Sequence, residues 1–249
     1  MEIFIEDDYG SMSVKAADHV MQIVAPLKNP VLCPATGDST KGLYKEMIDR
    51  INRKNIDVSN WCFVGLDEWL GMNQHDEGSC RHHLDNDLLK PLCIDEESVS
   101  FFNGKAKDFQ NEILKESNFI KEHGGIDIAI VGLGMNGHVG MNEPGTDPTL
   151  HSHISDIDAI TQQVGQKYFK KNREIKQGIT LGIADIMEAR QVVLVVSGAK
   201  KANIVEKVLE DEISEMLPAS FLRQHENFWV YLDEAAASLL HKKQNRKQY

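Results

Sequence analysis

The chain has few cysteines, no long apolar run and fewer basic than acidic residues. Its four cysteines (Cys33, Cys62, Cys80 and Cys93) form no CxxC pair, and so few in 249 residues are typical of reduced cytoplasmic thiols. No apolar run approaches the roughly 18 residues of a membrane span. The first ten residues also lack the basic and apolar parts of a signal peptide. We therefore expect a cytoplasmic protein without a membrane partner.

The charge balance limits the kinds of partner. Lysine and arginine number 27 against 38 aspartates and glutamates, so the formal charge is −11 at pH 7. This balance argues against a nucleic-acid-binding surface. It does not exclude an anionic small molecule, because backbone amides and one or two cations can bind phosphate locally. Since no linker or low-complexity tract divides the chain, we expect a single domain over residues 1–249.

Apolar strand segments alternate with helical segments along the chain. Strands are predicted at 1–5, 30–33, 61–66, 126–131, 191–196 and 228–232, and helices at 12–27, 42–52, 109–123, 158–171, 183–189, 199–210 and 234–240. The alternation predicts a three-layer α/β/α fold with a mainly parallel, Rossmann-like sheet. In such a sheet, ligands bind at the carboxyl edge of the strands.

The most informative segment is 126–145, a buried strand followed by a glycine-rich loop that carries His138 and Glu143. Residues 132–137 also spell GxGxxG, which in a dinucleotide site begins a helix. Here Gly140, Pro144 and Gly145 interrupt the following segment, and no second strand supplies an acidic ribose partner at the usual spacing. A dinucleotide site is therefore disfavoured.

Four predicted strand-to-helix loops carry the chemically useful side chains. They are 36–40 (TGDST), 66–69 (LDEW), 138–143 (HVGMNE) and 197–201 (SGAKK). The first could form an anion cradle or an ordinary helix N-cap. The carboxylates of the second loop could supply a catalytic base or simply lie in a solvated turn. The histidine of the third loop could carry a proton or be structural. A lysine in the fourth could reach a phosphate or remain solvated. Their shared position at strand ends favours a common site.

The motifs LDEW, GLGMNGHVGMNEPG, GITLG and VVSGAKKA together resemble the glucosamine-6-phosphate deaminase/isomerase family. The similarity runs in order from the 36–40 loop to residues 233–236. Within the family the chain looks closer to the galactosamine-6-phosphate branch, on residues 66–69, 134–138, 153–155, 190 and 218–222. The resemblance implies an aldose–ketose isomerisation coupled to loss of ammonia.

The resemblance also assigns roles to residues. His138 would protonate the ring oxygen and open the pyranose, and Asp67 would move the C2 proton to C1. Glu143 would hold His138 in its working tautomer, with Asn136 as a further hydrogen-bonding member of the catalytic set. The substrate and phosphate positions implied are Thr36, Gly37, Asp38, Ser39, Thr40, Gly137, Lys167 and Lys201. No metal or organic cofactor is required, and a homo-oligomer is expected because the family commonly assembles.

The chain departs from the family pattern at two sites. Asn136 stands where the glucosamine enzymes usually carry aspartate, a change that we interpret as typical of the galactosamine branch. Lys167 stands where the family has an arginine, so a point charge replaces a bidentate fork. The basic residues of the allosteric site are also missing, with His151 and His153 nearby, so activation by an acetylated amino sugar is not expected.

These features predict conversion of galactosamine 6-phosphate to tagatose 6-phosphate and ammonia. Three alternatives stay open: a glucosamine-6-phosphate deaminase that yields fructose 6-phosphate, a 6-phosphogluconolactonase-like hydrolase, and a non-catalytic sugar-phosphate-sensing domain. The carboxylates of LDEW argue for proton abstraction rather than lactone hydrolysis, and the chain leaves no room for a helix-turn-helix.

A zinc site at His75, Cys80, His82 and His83 was also weighed. Their spacing matches no standard ligand pattern, and a loop beside the site explains them better. We therefore predict no metal site.

Overall fold

A seven-stranded parallel sheet forms the centre of the fold. The structure is a computed structural model that describes residues 1–171 and 173–241. In chain order the strands are β1 (Glu2–Glu6), β2 (Val31–Pro34), β3 (Cys62–Val64), β4 (Asp67–Trp69), β5 (Val99–Ser100), β6 (Ile128–Val131), β7 (His153–Asp156), β8 (Gln177–Thr180), β9 (Val192–Val196) and β10 (Phe228–Asp233). The large sheet has the order β1-β10-β9-β6-β2-β3-β5, and all its pairs are parallel.

Helices cover both faces of this sheet. They are α1 (Tyr9–Val24), α2 (Asp38–Lys54), α3 (Cys80–Leu84), α4 (Phe109–Glu122), α5 (Ala159–Gly165), α6 (Ile183–Met187) and α7 (Ala202–Glu210). Successive residues of β6 point into different cores, because Ile128 and Ile130 pack with α1 and α2 while Ala129 and Val131 pack with α6 and α7. A strand buried on both faces is apolar throughout, as parallel sheets require. The predicted three-layer α/β/α architecture is confirmed.

A second, antiparallel sheet of order β4-β8-β7 was not predicted. The sequence predicts Asp67 just beyond the third strand, but Asp67 opens β4 and lies opposite Thr180 of β8. These strands have three or four residues each and lack the apolar alternation that marks a strand in sequence. Long-range pairing, rather than local propensity, therefore creates this sheet.

Two predicted helices differ from the structure. The expected helix at 158–171 is α5 followed by a 3₁₀ turn at Gln166–Tyr168. The expected closing helix at 234–240 is a series of turns instead. There the Asp233 carboxylate accepts the backbone N–H groups of Ala236 and Gly198, so it ties the chain end to the β9 loop.

Three further observations bear on the sequence predictions. Within the described residues, no helix is both long enough and apolar enough to cross a membrane. All four cysteines are free, and only Cys93 among them is exposed. Residues 132–152 after β6 form turns and one isolated bridge, so no helix starts at the GxGxxG glycines.

Candidate active site

The candidate site lies at the carboxyl edge of three adjacent strands. Because β9, β6 and β2 are neighbours in the sheet, the loops that follow them meet. The Ser39 hydroxyl after β2 lies 3.3 Å from the Ser197 hydroxyl after β9. The Lys201 ammonium donates a hydrogen bond to the carbonyl of Leu133 after β6. The chain segments that follow β2, β6 and β9 are therefore joined by direct contacts.

His138 is partly buried in the loop after β6, and its ring lies against Gly134. A Cβ atom at Gly134 would come within 2.4 Å of three ring atoms, so this position has room only for glycine. Gly137 has a φ of 89°, which favours glycine for the tight turn before His138. The Nδ1 atom of His138 lies 3.4 Å from Oε2 of Glu143 and 3.0 Å from the hydroxyl of Thr161. The ring is thus held through Nδ1.

Glu143 is almost fully buried and is charged at neutral pH. Burial alone would raise its pKa. The hydrogen bond and charge of His138, with hydrogen bonds from Asn136 and Thr161, outweigh burial and hold the pKa of Glu143 below its ordinary value. The amide nitrogen of Asn136 donates to Oε2 at 2.7 Å. The Asn136 carbonyl accepts the backbone N–H of His138 at 3.3 Å.

Asp67 reaches the same site from β4. Burial raises the pKa of Asp67 to about 6, while the Cys80 side chain and the charge of His138 act in the opposite direction. The Cys80 thiol interacts electrostatically with Asp67 on one side and with the Thr36 side chain on the other. Cys80 therefore links the predicted base to the phosphate loop.

Thr180 of β8 couples the Asp67 strand to the His138 loop. Its hydroxyl oxygen lies 3.3 Å from the carbonyl of Leu66 and accepts the backbone N–H of Met141 at 3.1 Å. A Cβ at Gly140, where φ is 59°, would lie 2.9 Å from this oxygen. The second sheet thus brings the carboxylate and the imidazole together.

Glu68, the second carboxylate of LDEW, has a structural role. It is fully buried and accepts backbone N–H groups from Trp69, Cys80 and Arg81 at 2.8–3.2 Å. Burial raises the pKa of Glu68 to about 7, although these amides and Ser79 oppose the shift. Because it holds the start of α3 against β4, Glu68 places Cys80 beside Asp67.

The loop after β2, predicted to bind an anion, leads directly into helix α2. Gly37 precedes the 17-residue helix α2, whose first amides face the loop. The Thr40 hydroxyl donates within the loop, to the carbonyls of Ala35 and Gly37. The carboxylate of Asp38 is bound by the Lys167 ammonium at 2.6 Å, and this hydrogen bond lowers its pKa. The Asp38 side chain therefore faces a lysine rather than an anion.

Lys201 is the more buried of the two lysines in the site. Burial and the positive charge of Lys167 lower the pKa of Lys201 to about 8, against a smaller opposing effect of Asp38. A phosphate dianion between these lysines would reverse that effect, because an opposite charge favours the protonated amine.

The structure brings the predicted site residues into one region. Direct contacts connect Asn136, His138 and Glu143, and electrostatic interactions link Asp67 to His138 and Lys201 to Lys167. Sequence analysis missed Thr161, Thr180 and the structural use of Cys80. The histidines of the discarded zinc hypothesis do not converge. Within the described residues, the one group with ligand atoms close enough for a metal is Glu206, Glu210 and His241, away from these loops.

Comparisons with known proteins agree with this geometry. A family model described as glucosamine-6-phosphate isomerases/6-phosphogluconolactonase matches residues 14–230. A glucosamine-6-phosphate deaminase of Oceanobacillus iheyensis is 36% identical over 237 residues, 95% of each chain. The chain therefore belongs to the glucosamine-6-phosphate isomerase/6-phosphogluconolactonase family, and the resemblance inferred from the motifs is confirmed.

Solved structures of both kinds of enzyme in the family name resemble this chain, but to different degrees. The structure of a monomeric glucosamine-6-phosphate deaminase matches with a TM-score of 0.92 and 31% identity, over 96% of this chain and 100% of that one. The 6-phosphogluconolactonase of Trypanosoma brucei matches with a TM-score of 0.71 and 18% identity, over 95% and 97%. The second likeness concerns the fold alone.

Proposed function

We propose that the protein is an amino-sugar-6-phosphate deaminase/isomerase that converts glucosamine 6-phosphate to fructose 6-phosphate and ammonia. The observation that carries the proposal is the pairing of Asp67, a partly buried carboxyl group whose pKa desolvation raises to about 6, with His138 at one site. A base that moves a proton between adjacent carbons and an acid that opens the ring are what this reaction needs.

Each step has a residue in place. His138 donates a proton to the ring oxygen as the bond from that oxygen to C1 breaks. The C1 hydroxyl then gives its proton back to the imidazole, which leaves the open-chain aldehyde. Asp67 removes the proton from C2 and returns it to C1, while one proton of the amine moves to the C1 oxygen, which gives a 2-imino sugar. Water then adds to C2, and ammonia leaves. Glu143 is anionic, and its Oε2 lies 3.4 Å from Nδ1 of His138, where it orients the ring.

The phosphate is proposed to bind at the start of α2. The amides that follow Gly37, the hydroxyl of Ser39 and the ammonium of Lys201 surround that position. Lys167 joins them when it exchanges the Asp38 carboxylate for the phosphate. Two lysines and free helix amides suit a dianion even in a protein of charge −11.

A coupled assay of ammonia release, with ketose phosphate measured in parallel, tests the proposal. We expect turnover of glucosamine 6-phosphate and none of 6-phosphogluconolactone. Lactone hydrolysis without ammonia release would favour the lactonase alternative. Tight binding of the amino sugar without turnover would favour the sensing domain.

Asp67→Asn tests the base assignment. The variant should lose exchange of the C2 proton with solvent, followed by NMR in heavy water, while substrate binding changes little. Near wild-type turnover by this variant would remove Asp67 from the mechanism.

Galactosamine 6-phosphate is the second candidate substrate, favoured by Asn136. The sequence resemblance favours this epimer, because the galactosamine branch resembles the chain at that position. The named relatives support the gluco epimer instead. Comparison of kcat/KM for the two epimers decides between them, because they differ only at C4. Purified protein should favour the gluco epimer; a preference for galacto would restore the sequence-based choice.

A further inference from the structure

The Thr161 hydroxyl occupies the centre of the hydrogen-bond network around His138. Its oxygen lies 3.0 Å from Nδ1 of His138, closer than the 3.4 Å between that nitrogen and Glu143. The Asn136 amide nitrogen lies 3.4 Å from the same oxygen, and the Glu143 carboxylate is near enough for Thr161 to act on its pKa. The threonine is buried, so water does not readily replace it in these contacts.

Helix α5 is built so that this hydroxyl has a defined position. Asp158 caps the helix and accepts the backbone N–H of Ile160 at 2.8 Å. Four residues after Thr161, a Cβ at Gly165 would lie 2.8 Å from Ile175 and 3.6 Å from Trp69. The helix therefore packs closely against β4, the strand that also carries Asp67.

The donors and acceptors around Thr161 determine where its proton points. Glu143 is ionised and accepts hydrogen bonds only, so it is the strongest acceptor within reach of the hydroxyl. Once the hydroxyl donates to Glu143, its oxygen is left to accept. Asn136 offers N–H, and His138 must offer Nδ1–H to complete the contact at 3.0 Å.

We propose that Thr161 is a positioning residue that fixes His138 in the tautomer protonated at Nδ1. Nε2 is then the nitrogen that exchanges a proton with the substrate. This inference rests on the proposed function for its kinetic consequence, but the tautomer itself is a property of the free protein. Neither the family motifs nor the four predicted loops pointed to this residue.

Nitrogen NMR of the free protein tests the tautomer directly. In ¹⁵N-labelled protein, long-range proton–nitrogen correlations distinguish the two neutral forms of a histidine ring, and His138→Gln identifies the signals among the ten histidines. We expect the Nδ1–H form in the wild type and in Thr161→Ser. Thr161→Val, which keeps the shape but lacks the hydroxyl, should populate Nε2–H as well. An unchanged Nδ1–H pattern in Thr161→Val would overturn the proposal.

Kinetics provide the second test. Loss of one hydrogen bond should lower kcat by about tenfold in Thr161→Val. KM should stay within about twofold of the wild type, because Thr161 is not proposed to touch the substrate. Thr161→Ser should recover most of kcat, since it restores the hydroxyl. Gln163→Ala, on the exposed side of the same helix, should match the wild type.

The outcomes separate the two proposals. Wild-type protein that deaminates neither epimer would end the proposed function, while the NMR pattern would still decide the role of Thr161. Active Thr161→Val with unchanged kcat, or a Thr161→Ser variant as impaired as Thr161→Val, would count against the positioning role alone. Should Thr161→Val not fold, as judged by circular dichroism, Thr161→Ala serves in both measurements with the same expected results.

Discussion

The amide nitrogen of Asn136 donates a 2.7 Å hydrogen bond to Oε2 of Glu143. An aspartate cannot make this bond, because an ionised carboxylate only accepts. Asn136 therefore has two roles here. Its amide N–H donates a hydrogen bond to the buried Glu143 carboxylate, and its carbonyl accepts the backbone N–H of His138. The asparagine is thus matched to Glu143 as well as to His138.

Replacement of Asn136 by aspartate should place two carboxylates in contact and raise their pKa values. One of the two would then hold a proton at a pH where Glu143 is now ionised. We expect the acid side of the kcat/KM profile to move up by about one pH unit and to become steeper. Asn111→Asp, an exposed change of equal charge on α4, is the control. If the pH profiles of kcat/KM for Asn136→Asp and the wild type were superimposable, the hydrogen bond from Asn136 to Glu143 would not affect catalysis.

Activity should also follow the ionisation of Asp67. Because burial raises the pKa of Asp67 to about 6, the fraction of ionised base and kcat/KM should fall as the pH drops through this value. Cys80→Ala removes a donor that opposes the shift, so its acid limb should lie at higher pH than that of the wild type. Cys93→Ala, at the exposed cysteine, is the control. If the acid limb of the kcat/KM profile lay at the same pH in Cys80→Ala as in the wild type, the thiol would not influence the pKa of Asp67.

The sequence was sufficient to locate most of the site because buried parallel strands are apolar throughout. The run at Ile128–Val131 identifies a strand without ambiguity, and glycines such as Gly134 and Gly137 mark the close approaches that follow it. Since parallel strands end at one edge, the sequence could predict that the His138 and Lys201 loops lie at the same edge of the sheet.

The second sheet and Thr161 could not be predicted in this way. Strand β4 consists of Asp67, Glu68 and Trp69, a sequence with no strand signal of its own, and it forms because β8 pairs with it. Thr161 lies on a helix whose place depends on a turn-rich segment before it, and no periodicity in the chain specifies that path. Long-range contacts of this kind are visible only in three dimensions.

The ion pair between Asp38 and Lys167 should compete with phosphate binding. Lys167→Ala removes a cation from the cradle, and we expect KM to rise about tenfold with a smaller change in kcat. Asp38→Asn releases the lysine, so KM should fall or stay constant. Lys170→Ala breaks an ion pair of the same kind with Glu77, in which the lysine is more exposed, and should leave KM unchanged. An equal effect of Lys167→Ala and Lys170→Ala would point to general electrostatics instead of a specific contact.

Glu116 should make the stability of the fold depend on pH. This buried residue of α4 accepts the backbone N–H of Gly65 at 3.1 Å and the Ser100 hydroxyl at 2.5 Å, behind the turn that leads to Asp67. Burial raises the pKa of Glu116 from 4.5 to about 7, although Ser100, Lys115 and Gly65 oppose the shift. Between these values the folded state binds more protons than the unfolded state, so the free energy of unfolding falls as the pH rises.

Glu116→Gln keeps the size of the side chain, accepts from Gly65 through its carbonyl and removes the titration. The contribution of residue 116 to stability should then not depend on pH. From pH 5 to pH 8, the free energy of unfolding of the variant should therefore rise relative to that of the wild type by on the order of 1–3 kcal/mol. Urea unfolding at both pH values measures the difference, with Glu122→Gln on the exposed side of the same helix as the control. If the stability difference between Glu116→Gln and the wild type were the same at both pH values, Glu116 would not titrate in this range. Its raised pKa would then have to be abandoned.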